Sequence, residues 1–408
     1  MVGQKFIWSL VAYCCLLCGA VPALARVQTG IEVLRERDFD LLQGKRVGLV
    51  TNATGVDGSL QSTVDILYQA ENVDLIALFA PEHGVRGDVA AGDKVANARD
   101  AKTRLPIYSL YGKTRKPTPE MLRGIEVLVY DIQDIGCRSY TFISTLGNVM
   151  EAACEAGITV VVLDRPNPLG GLKVEGAGVD TDCRSFVSQF DIPYLYGLTV
   201  GELARYLNEE IGCDLQVVPM QGWKRSMRFA DTGLPWVPTS PHIPQAETAL
   251  YYPATGILGE LGVLSIGVGY TLPFQTVAAP WIDAGQLADS LNALQLDGIL
   301  FRPIHYKPYY GLYKGEAVHG VELHITDFNA LKLTEVQFAI VCKLLQLYPE
   351  QPFLRTPTAT QWRMFDQVCG SKQFRPLLEQ GRLNELLDAW RQIPTDFIEK
   401  SKSVWIYE

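Results

Sequence analysis

Residues 125–163 read IEVLVYDIQDIGCRSYTFISTLGNVMEAACEAGITVVVL and contain two apolar runs separated by a helical pattern. The runs at 125–130 and 159–163 are short, nearly continuous and rich in β-branched residues, which is typical of strands buried on both faces. Between them, residues 145–156 have the pattern of a helix, and Gly157 is placed to end it. A strand, a helix and a second strand in this order predict one parallel unit of an α/β sheet.

The same alternation continues towards both ends of the chain. Residues 47–51 and 75–80 are further apolar runs, although the second has fewer β-branched residues and is the weaker strand prediction. Thr199 and Glu202 form a capping box that opens another helix, and Gly212 closes it. We therefore predict an α/β fold with a doubly wound, mostly parallel sheet.

Length and charge limit the organisation and the partners of the protein. The 408 residues suggest two domains, and the four prolines of the segment Trp236–Pro253 indicate a linker between them. We place the domains at 26–250 and 251–408. The formal net charge of −9 and the lack of a long Lys/Arg run argue against binding to nucleic acid or anionic lipid, because their phosphates would repel the chain.

The first 25 residues have the pattern of a signal peptide. Lys5 precedes an apolar run at residues 6–18, which is too short to span a bilayer well, and Ala23-Leu24-Ala25 is a small-x-small cleavage signal. We expect cleavage after Ala25 and a secreted or periplasmic protein. A retained membrane anchor is the less favoured interpretation, and no later run is long enough to insert in a membrane.

Polar residues follow each of the four apolar runs. In an open α/β sheet, ligands bind beyond the carboxyl ends of the strands. These residues are Asn52, Glu82, His83, Asp131, Gln133, Asp164 and Asn167. Ordinary turn formation is an alternative for Asn52 and Asn167, but neither Glu82 nor His83 is a preferred turn former.

Common cofactor and metal motifs are missing from the sequence. No GxGxxG follows a predicted strand, no GxxxxGK[ST] occurs, and the five histidines show no HExxH spacing. The six cysteines after residue 25 form no CxxC, and Cys154 and Cys342 fit helix interiors as small apolar residues. We expect neither a cofactor nor a metal, and one or two disulfides remain open.

What remains is a set of carboxylates with arginines nearby. Paired carboxyl groups carry out glycoside hydrolysis, one as an acid and the other as a nucleophile or base. Glu82 is the best candidate acid, since apolar neighbours favour a protonated carboxyl, and His83, Asp131 and Asp164 are the other catalytic candidates. Arg86, Arg138 and Arg165 are suited to an anionic substituent. An ion pair with a neighbouring Asp is equally expected for Arg138 and Arg165.

Several motifs in this order resemble the NamZ-type exo-β-N-acetylmuramidases, a family formerly known as a domain of unknown function. The resemblance covers roughly residues 28–408 and is densest between Gly44 and Gly212. The motifs are FAPEHGVRG at 79–87, SLYG at 109–112, KPT at 116–118, DIQDIGCR at 131–138 and LDRPNP at 163–168.

The resemblance implies a glycosidase that releases terminal β-linked N-acetylmuramic acid from the non-reducing end of peptidoglycan fragments. It also implies a Rossmann-like N-terminal domain, a smaller α+β C-terminal domain and a cleft between them. The family's motifs map onto Glu82 and onto residues at 131–140, and the lactyl carboxylate of muramic acid would give the arginines a ligand. The substrate-binding candidates are Asn52, Arg86, Gln133, Arg138, Tyr140, Arg165, Asn167 and, in the linker, His242.

The C-terminal half departs from the family pattern in a glycine-rich segment. The family carries a Glu-Gly-Arg-Gly core there, whereas this chain reads SIGVG at 265–269, with Ile266 and Val268 in place of the charged residues. A non-catalytic or altered-specificity peptidoglycan-binding protein is therefore the alternative function. Glu260 could compensate for the lost charge, although a lone Glu is usually a solvated surface residue.

Overall fold

A seven-stranded sheet forms the centre of the first domain. The computed structural model describes residues 26–87, 98–112 and 114–408, so the predicted signal peptide lies outside the described residues. The strands are β1 Arg46–Thr51, β2 Asp74–Ala80, β3 Ala98–Arg99, β4 Pro106–Ser109, β5 Val127–Asp131, β6 Thr159–Leu163 and β7 Leu215–Val218. Their order is β3-β4-β2-β1-β5-β6-β7, and all pairs are parallel except β3 with β4.

Helices cover both faces of this sheet. They are α1 Gly30–Glu36, α2 Thr63–Gln69, α3 Phe142–Ala156 and α4 Val200–Ile211. Along β6, Val160 and Val162 pack in one apolar cluster with α3 and α4, while Val161 and Leu163 pack in another with α1 and α2. Successive side chains of a strand point to opposite faces. The doubly wound, mostly parallel architecture is confirmed.

The predicted ends of the helices are confirmed, except that α3 begins three residues earlier than predicted. Gly157 and Gly212 end α3 and α4 in the left-handed region, at φ 64° and φ 71°. The capping box joins Thr199 and Glu202 as predicted. However, α3 begins at Phe142 rather than at residue 145, because Phe142 and Ile143 pack in the core and extend its apolar face by nearly one turn.

The second part of the chain is a smaller α+β unit. Its antiparallel sheet has the order β8-β10-β9, from β8 Thr276–Ala279, β9 Ile299–Tyr306 and β10 Val318–Ile325. Its helices are α5 Thr248–Gly259, α6 Ala284–Asn292, α7 Val336–Leu347, α8 Ala359–Cys369, α9 Phe374–Glu379, α10 Leu383–Trp390 and α11 Phe397–Ser403. The predicted boundary at residue 250 falls in the first turn of α5. One apolar cluster joins this unit to Ile135 and Tyr194 of the first domain.

The last residues of the chain return to the first sheet. Phe397 and Val404 belong to the core on the α3 and α4 face. The Tyr407 hydroxyl donates to Asp164 Oδ2 at 2.6 Å and accepts from the Met220 backbone N–H at 2.8 Å. The final segment therefore closes over the carboxyl end of β6, and the two predicted domains share packing at this point.

The described residues also give information on disulfides, membrane spans and metal binding. The six cysteines among the described residues are free; Cys342 is buried as predicted, but Cys154 is exposed, because it lies on the outer side of α3. None of the helices within the described ranges combines the length and the apolar content needed to cross a membrane. Over the same ranges, no three His, Cys, Asp or Glu side chains are grouped to hold a metal ion.

Candidate active site

The turn after β2 directs Glu82 and His83 into a cavity between the two parts of the chain. The Gly84 N–H donates to the Pro81 carbonyl at 3.2 Å, and His83 adopts φ 72° in the left-handed region. That conformation costs a non-glycine residue about 1–2 kcal/mol. It places the buried His83 and the half-buried Glu82 in the wall of a cavity of about 420 Å³.

Both parts of the chain contribute to the walls of this cavity, as the family resemblance implies. The first domain supplies Glu82, His83, Tyr111, residues 139–142 and Val187, and the connecting segment supplies Ser240, His242 and Ile243. The C-terminal part supplies Tyr252, Gly256, Gly259, Glu260, Gly262, Leu264, Ser265, Ile266, Val268, Phe274, Gly311 and Leu312. The volume lies within the usual range for small-molecule sites.

Two hydroxyl groups donate to the Glu82 carboxylate. Thr141 Oγ1 lies 2.9 Å from Glu82 Oε2, and Tyr111 donates a second hydrogen bond. Burial raises the pKa of Tyr111, and Glu82 raises it further, so the phenol stays a neutral donor. Thr141 is also the residue before α3, whose N-terminal dipole favours a negative charge. This setting suits an ionised carboxylate.

Glu260 is a second carboxyl group in the same cavity, in a different setting. It follows the last residue of α5, and no hydrogen bond or ion pair joins its side chain to another described residue. Burial raises its pKa to about 7. Two carboxyl groups whose surroundings separate their protonation are the usual mark of an acid and its partner.

Small residues around Glu260 keep the cavity open. A Cβ atom at Gly259 would lie 2.6 Å from Ile266 Cδ1, so a larger residue there would clash with Ile266, which also lines the cavity. The sequence offered Glu260 only as a residue that could compensate for the lost charge, with a solvated surface position as the usual alternative, and the structure places it in the cavity wall. The spacing of Gly256, Gly259 and Gly262 around it is a sequence signal for a closely packed wall.

Two other predicted site residues also line the cavity. His242 stacks against Tyr310, with 6.1 Å between ring centroids and 22° between planes. Burial lowers the pKa of His242, and the charge of His83 lowers it further. Tyr140 donates to Thr239 Oγ1 at 2.8 Å. The structure thus brings together Glu82, His83, Tyr140 and His242.

Asp131 and Arg165 form a buried ion pair outside this cavity. Arg165 Nε and Nη2 lie 2.5 and 2.9 Å from the two Asp131 carboxylate oxygens, and Thr63 Oγ1 donates to the same carboxylate. Asp131 ends β5 beside β1, at the strand switch where Rossmann-like folds bind ligands. The space beside Arg165 is only about 20 Å³. Arg165 therefore forms the ion pair that was the alternative in the sequence analysis. The structure does not favour a role for Arg165 in substrate binding or for Asp131 in catalysis.

Asp164 is a buried anchor rather than a cavity residue. It accepts hydrogen bonds from Thr199 Oγ1 at 2.7 Å, the Gly201 N–H at 2.7 Å and the Tyr407 hydroxyl at 2.6 Å. Burial raises its pKa to about 6, even though these donors act in the opposite direction. It ties β6 to the start of α4 and to the chain terminus, so a catalytic role is not supported.

Arg138 and Arg86 also lie outside the cavity lining. Arg138 is 1% exposed, and burial lowers its pKa to about 10. Its guanidinium donates to four backbone carbonyls, those of Ala177, Ile192, Val368 and Cys369. Arg86 pairs with Asp100 at 2.8 Å. Arg138 therefore joins the first domain to α8, and the structure does not favour the predicted binding of an anionic substituent by these arginines.

Three other predicted residues, Asn52, Gln133 and Asn167, use their side chains to stabilise the loops in which they lie. Asn52 Oδ1 accepts from the Thr54 N–H at 2.9 Å. Gln133 Nε2 donates to the Pro166 carbonyl at 2.7 Å, and Asn167 Nδ2 donates to the Leu198 carbonyl at 3.0 Å. Turn formation thus accounts for Asn52 and Asn167, and Gln133 plays a similar part. None of these side chains contributes to the walls of the cavity.

The departures from the family pattern fall inside the cavity. Ile266 and Val268, the two positions at which the sequence departs from the pattern expected of the family, both line it. No arginine or lysine occurs among the described residues that form its walls, where the basic groups are His83 and His242. The C-terminal wall is consequently apolar except at Glu260, Tyr252 and Ser265.

A second groove, of about 710 Å³, lacks a comparable arrangement. Its three carboxylates all accept hydrogen bonds, Glu175 from Thr334, Asp231 from the Arg228 N–H and Asp327 from the Asn329 N–H, so none resembles Glu260, which has no described partner. The cavity at Glu82 and Glu260 is therefore the candidate active site.

Comparison with known proteins agrees with this assignment. The family model described as exo-β-N-acetylmuramidase NamZ, N-terminal, matches residues 47–247, and its C-terminal counterpart matches residues 250–407. The chain is 43% identical over 386 residues to the peptidoglycan β-N-acetylmuramidase NamZ of Bacillus subtilis strain 168, covering 94% of this chain and 92% of that protein.

Two solved structures share the fold. A DUF1343 family protein of Bacteroides fragilis NCTC 9343 superposes with a TM-score of 0.91 at 54% identity, covering 95% of this chain and 100% of that chain. A second protein of that family and strain gives a TM-score of 0.75 at 27% identity, covering 94% of this chain and 99% of that chain.

Proposed function

The chain belongs to the NamZ family of exo-β-N-acetylmuramidases, and we propose that it releases terminal β-linked N-acetylmuramic acid from the non-reducing end of peptidoglycan fragments. The observation that carries the proposal is the presence of Glu82 and Glu260 in one cavity between the two parts of the chain. Most glycoside hydrolases use such a pair, with one carboxyl group protonated and the other ionised.

The cavity also contains groups suited to a muramic acid residue. Tyr252 and Tyr140 offer apolar ring surface with polar hydroxyls, which suits a sugar. His83 and His242 are the basic groups in the described walls, and we propose that they bind the lactyl carboxylate in place of the arginines. Protonated His242 would donate to a carboxylate, and because burial lowers the pKa of His242, this contact requires a pH below the ordinary histidine range.

The direct test is incubation of the protein with a disaccharide that carries N-acetylmuramic acid at its non-reducing end. Mass analysis should show free N-acetylmuramic acid and the remaining sugar in equal amounts. A matched disaccharide ending in N-acetylglucosamine, which lacks the lactyl carboxylate, should remain intact. Equal release from both would contradict recognition of the lactyl group, and no release from either would contradict the hydrolase.

One observation favours a second function, that of a peptidoglycan-binding protein without turnover. Ile266 and Val268 line the cavity where the family pattern carries charges. If these charges are required for hydrolysis, calorimetry should detect binding of the muramic acid disaccharide while no product forms. Glu260 supports the hydrolase over this alternative, because it keeps a second carboxyl group in the cavity.

We also propose that the protein acts outside the cytoplasm, in the periplasm or secreted, as a peptidoglycan substrate requires. The support is the sequence pattern of residues 1–25, with Lys5, the apolar run and Ala23-Leu24-Ala25. Protein recovered from the native bacterium should begin at Arg26 when its N-terminus is sequenced. Recovery of the chain with Met1 in the cytoplasmic fraction would contradict export.

A further inference from the structure

We propose that Glu260 is the general acid of the reaction and that Glu82 acts as its ionised partner, an assignment that rests on the proposed hydrolase function. Sequence reasoning gave the acid role to Glu82. Three features of the structure reverse the two roles: the position of Glu260, the groups that surround it, and the donors that Glu82 already has.

The position of Glu260 favours a neutral carboxyl group. Its side chain reaches the cavity from the carboxyl end of α5, where the partial negative charge of the helix opposes a second negative charge. Its neighbours in the wall include the apolar Ile266 and the backbone at Gly259 and Gly262. No described residue donates a hydrogen bond that would stabilise the ionised form of Glu260, so the protonated form is favoured.

The other titratable groups around Glu260 do not change the conclusion that its carboxyl group is favoured in the neutral form. They are Tyr252 on α5, Cys369 on α8 with Arg138 hydrogen-bonded to its carbonyl, and, on the other cavity walls, Glu82, His83, Tyr111, Tyr140 and His242. Burial, not any of these groups, raises the pKa of Glu260 to about 7. An acid with that pKa is partly protonated at neutral pH and can still release its proton during the reaction.

Glu82 has the opposite setting. Thr141 and Tyr111 both donate to its carboxylate, and the start of α3 adds a favourable partial charge. Two hydrogen-bond donors favour the carboxylate form of a carboxyl group, which has no proton to give. A carboxylate can instead act on the anomeric carbon, on water or on the substrate's acetamido group. The pair therefore divides the work by environment, although both residues are glutamates.

The chemical step balances with these two groups and water. Glu260 transfers its proton to the glycosidic oxygen as the bond from the anomeric carbon breaks, and the bonding electron pair leaves with that oxygen as a neutral alcohol. Water then supplies hydroxyl to the anomeric carbon, and its remaining proton is taken up by an ionised carboxyl group of the pair. No other reactant is needed.

The test compares two substrates that differ in their need for an acid. The leaving group of the disaccharide is a hydroxyl of the second sugar, which must be protonated as the bond breaks. The leaving group of a 2,4-dinitrophenyl muramide is a stable phenolate, which needs no proton. Glu260→Gln should slow the disaccharide by about 10²–10⁴-fold and change the dinitrophenyl muramide far less. For the wild-type protein, the disaccharide rate should fall as pH rises through about 7, because Glu260 then loses its proton.

Controls separate the possible outcomes. Glu247→Gln, at the exposed opposite end of α5, should leave both rates unchanged, and Glu260→Asp should retain part of the disaccharide activity. If Glu260→Gln slows both substrates equally, or leaves the disaccharide rate intact, Glu260 is not the general acid. If the wild-type protein hydrolyses neither muramide, the proposed function fails first and the assignment falls with it.

Discussion

Replacing Glu82 with glutamine should slow the release of N-acetylmuramic acid by at least about 10²-fold, for substrates with good and poor leaving groups alike. Glutamine keeps the size of the side chain and an oxygen that accepts from Thr141 and Tyr111, so the turn after β2 should stay intact. What it removes is the negative charge needed at the anomeric centre. Steady-state rates on the disaccharide and on the dinitrophenyl muramide measure this loss.

The matched control is Glu316→Gln, at an exposed glutamate outside the cavity, which should behave as wild type. Circular dichroism and the thermal midpoint should be unchanged in both variants. The pattern across substrates also distinguishes the two carboxyl groups, since Glu82→Gln affects both substrates and Glu260→Gln mainly the disaccharide. Normal turnover by a folded Glu82→Gln protein would remove Glu82 from the mechanism.

Replacing Arg165 with methionine should lower the free energy of unfolding by about 3–5 kcal/mol, the typical cost of leaving one member of a buried ion pair alone. Asp131 is fully buried, and Arg165 supplies two of its hydrogen bonds, at 2.5 and 2.9 Å. Thr63 Oγ1 would remain as a donor, but it carries no compensating charge. Urea denaturation followed by tryptophan fluorescence measures the change.

A surface pair and a double variant provide the comparison. Arg37 and Asp40 form an exposed ion pair, so Arg37→Met should change stability by less than about 1 kcal/mol. Adding Asp131→Asn to Arg165→Met should recover part of the loss, because the uncompensated charge is then removed. The KM of the folded Arg165→Met protein should stay at the wild-type value. A raised KM with normal stability would instead support the sugar-binding role predicted from the sequence.

The strands and helices of the first domain were predictable because their signals are local. An apolar run such as residues 159–163 is typical of a strand covered by helices on both faces, and β6 occupies those residues. Glycine at 157 and the capping box at 199–202 work within a single helical turn, so their effect does not depend on distant residues. The start of α3 was missed since it depends on packing of Phe142 against other elements.

The candidate site was predicted only in part. Glu82 and His83 stood out because they are unusual turn residues, and both reach the cavity. Asp131 and Asp164 follow strands of the same sheet and looked equivalent in the sequence. Their partners are far away along the chain, Thr63 for one and Tyr407 for the other, and these contacts use the carboxylates to hold the fold.

The sequence by itself determined the doubly wound sheet, the family and the two catalytic candidates after β2, Glu82 and His83. Tertiary structure alone decided which polar residues remain available to a substrate. Packing buries Arg138, Arg165, Asp131 and Asp164 against partners, and it brings Glu260, 178 positions after Glu82, into the same cavity. The physical reason is that burial and hydrogen bonding set the charge and the availability of a carboxyl group, and both depend on residues that meet only when the chain folds.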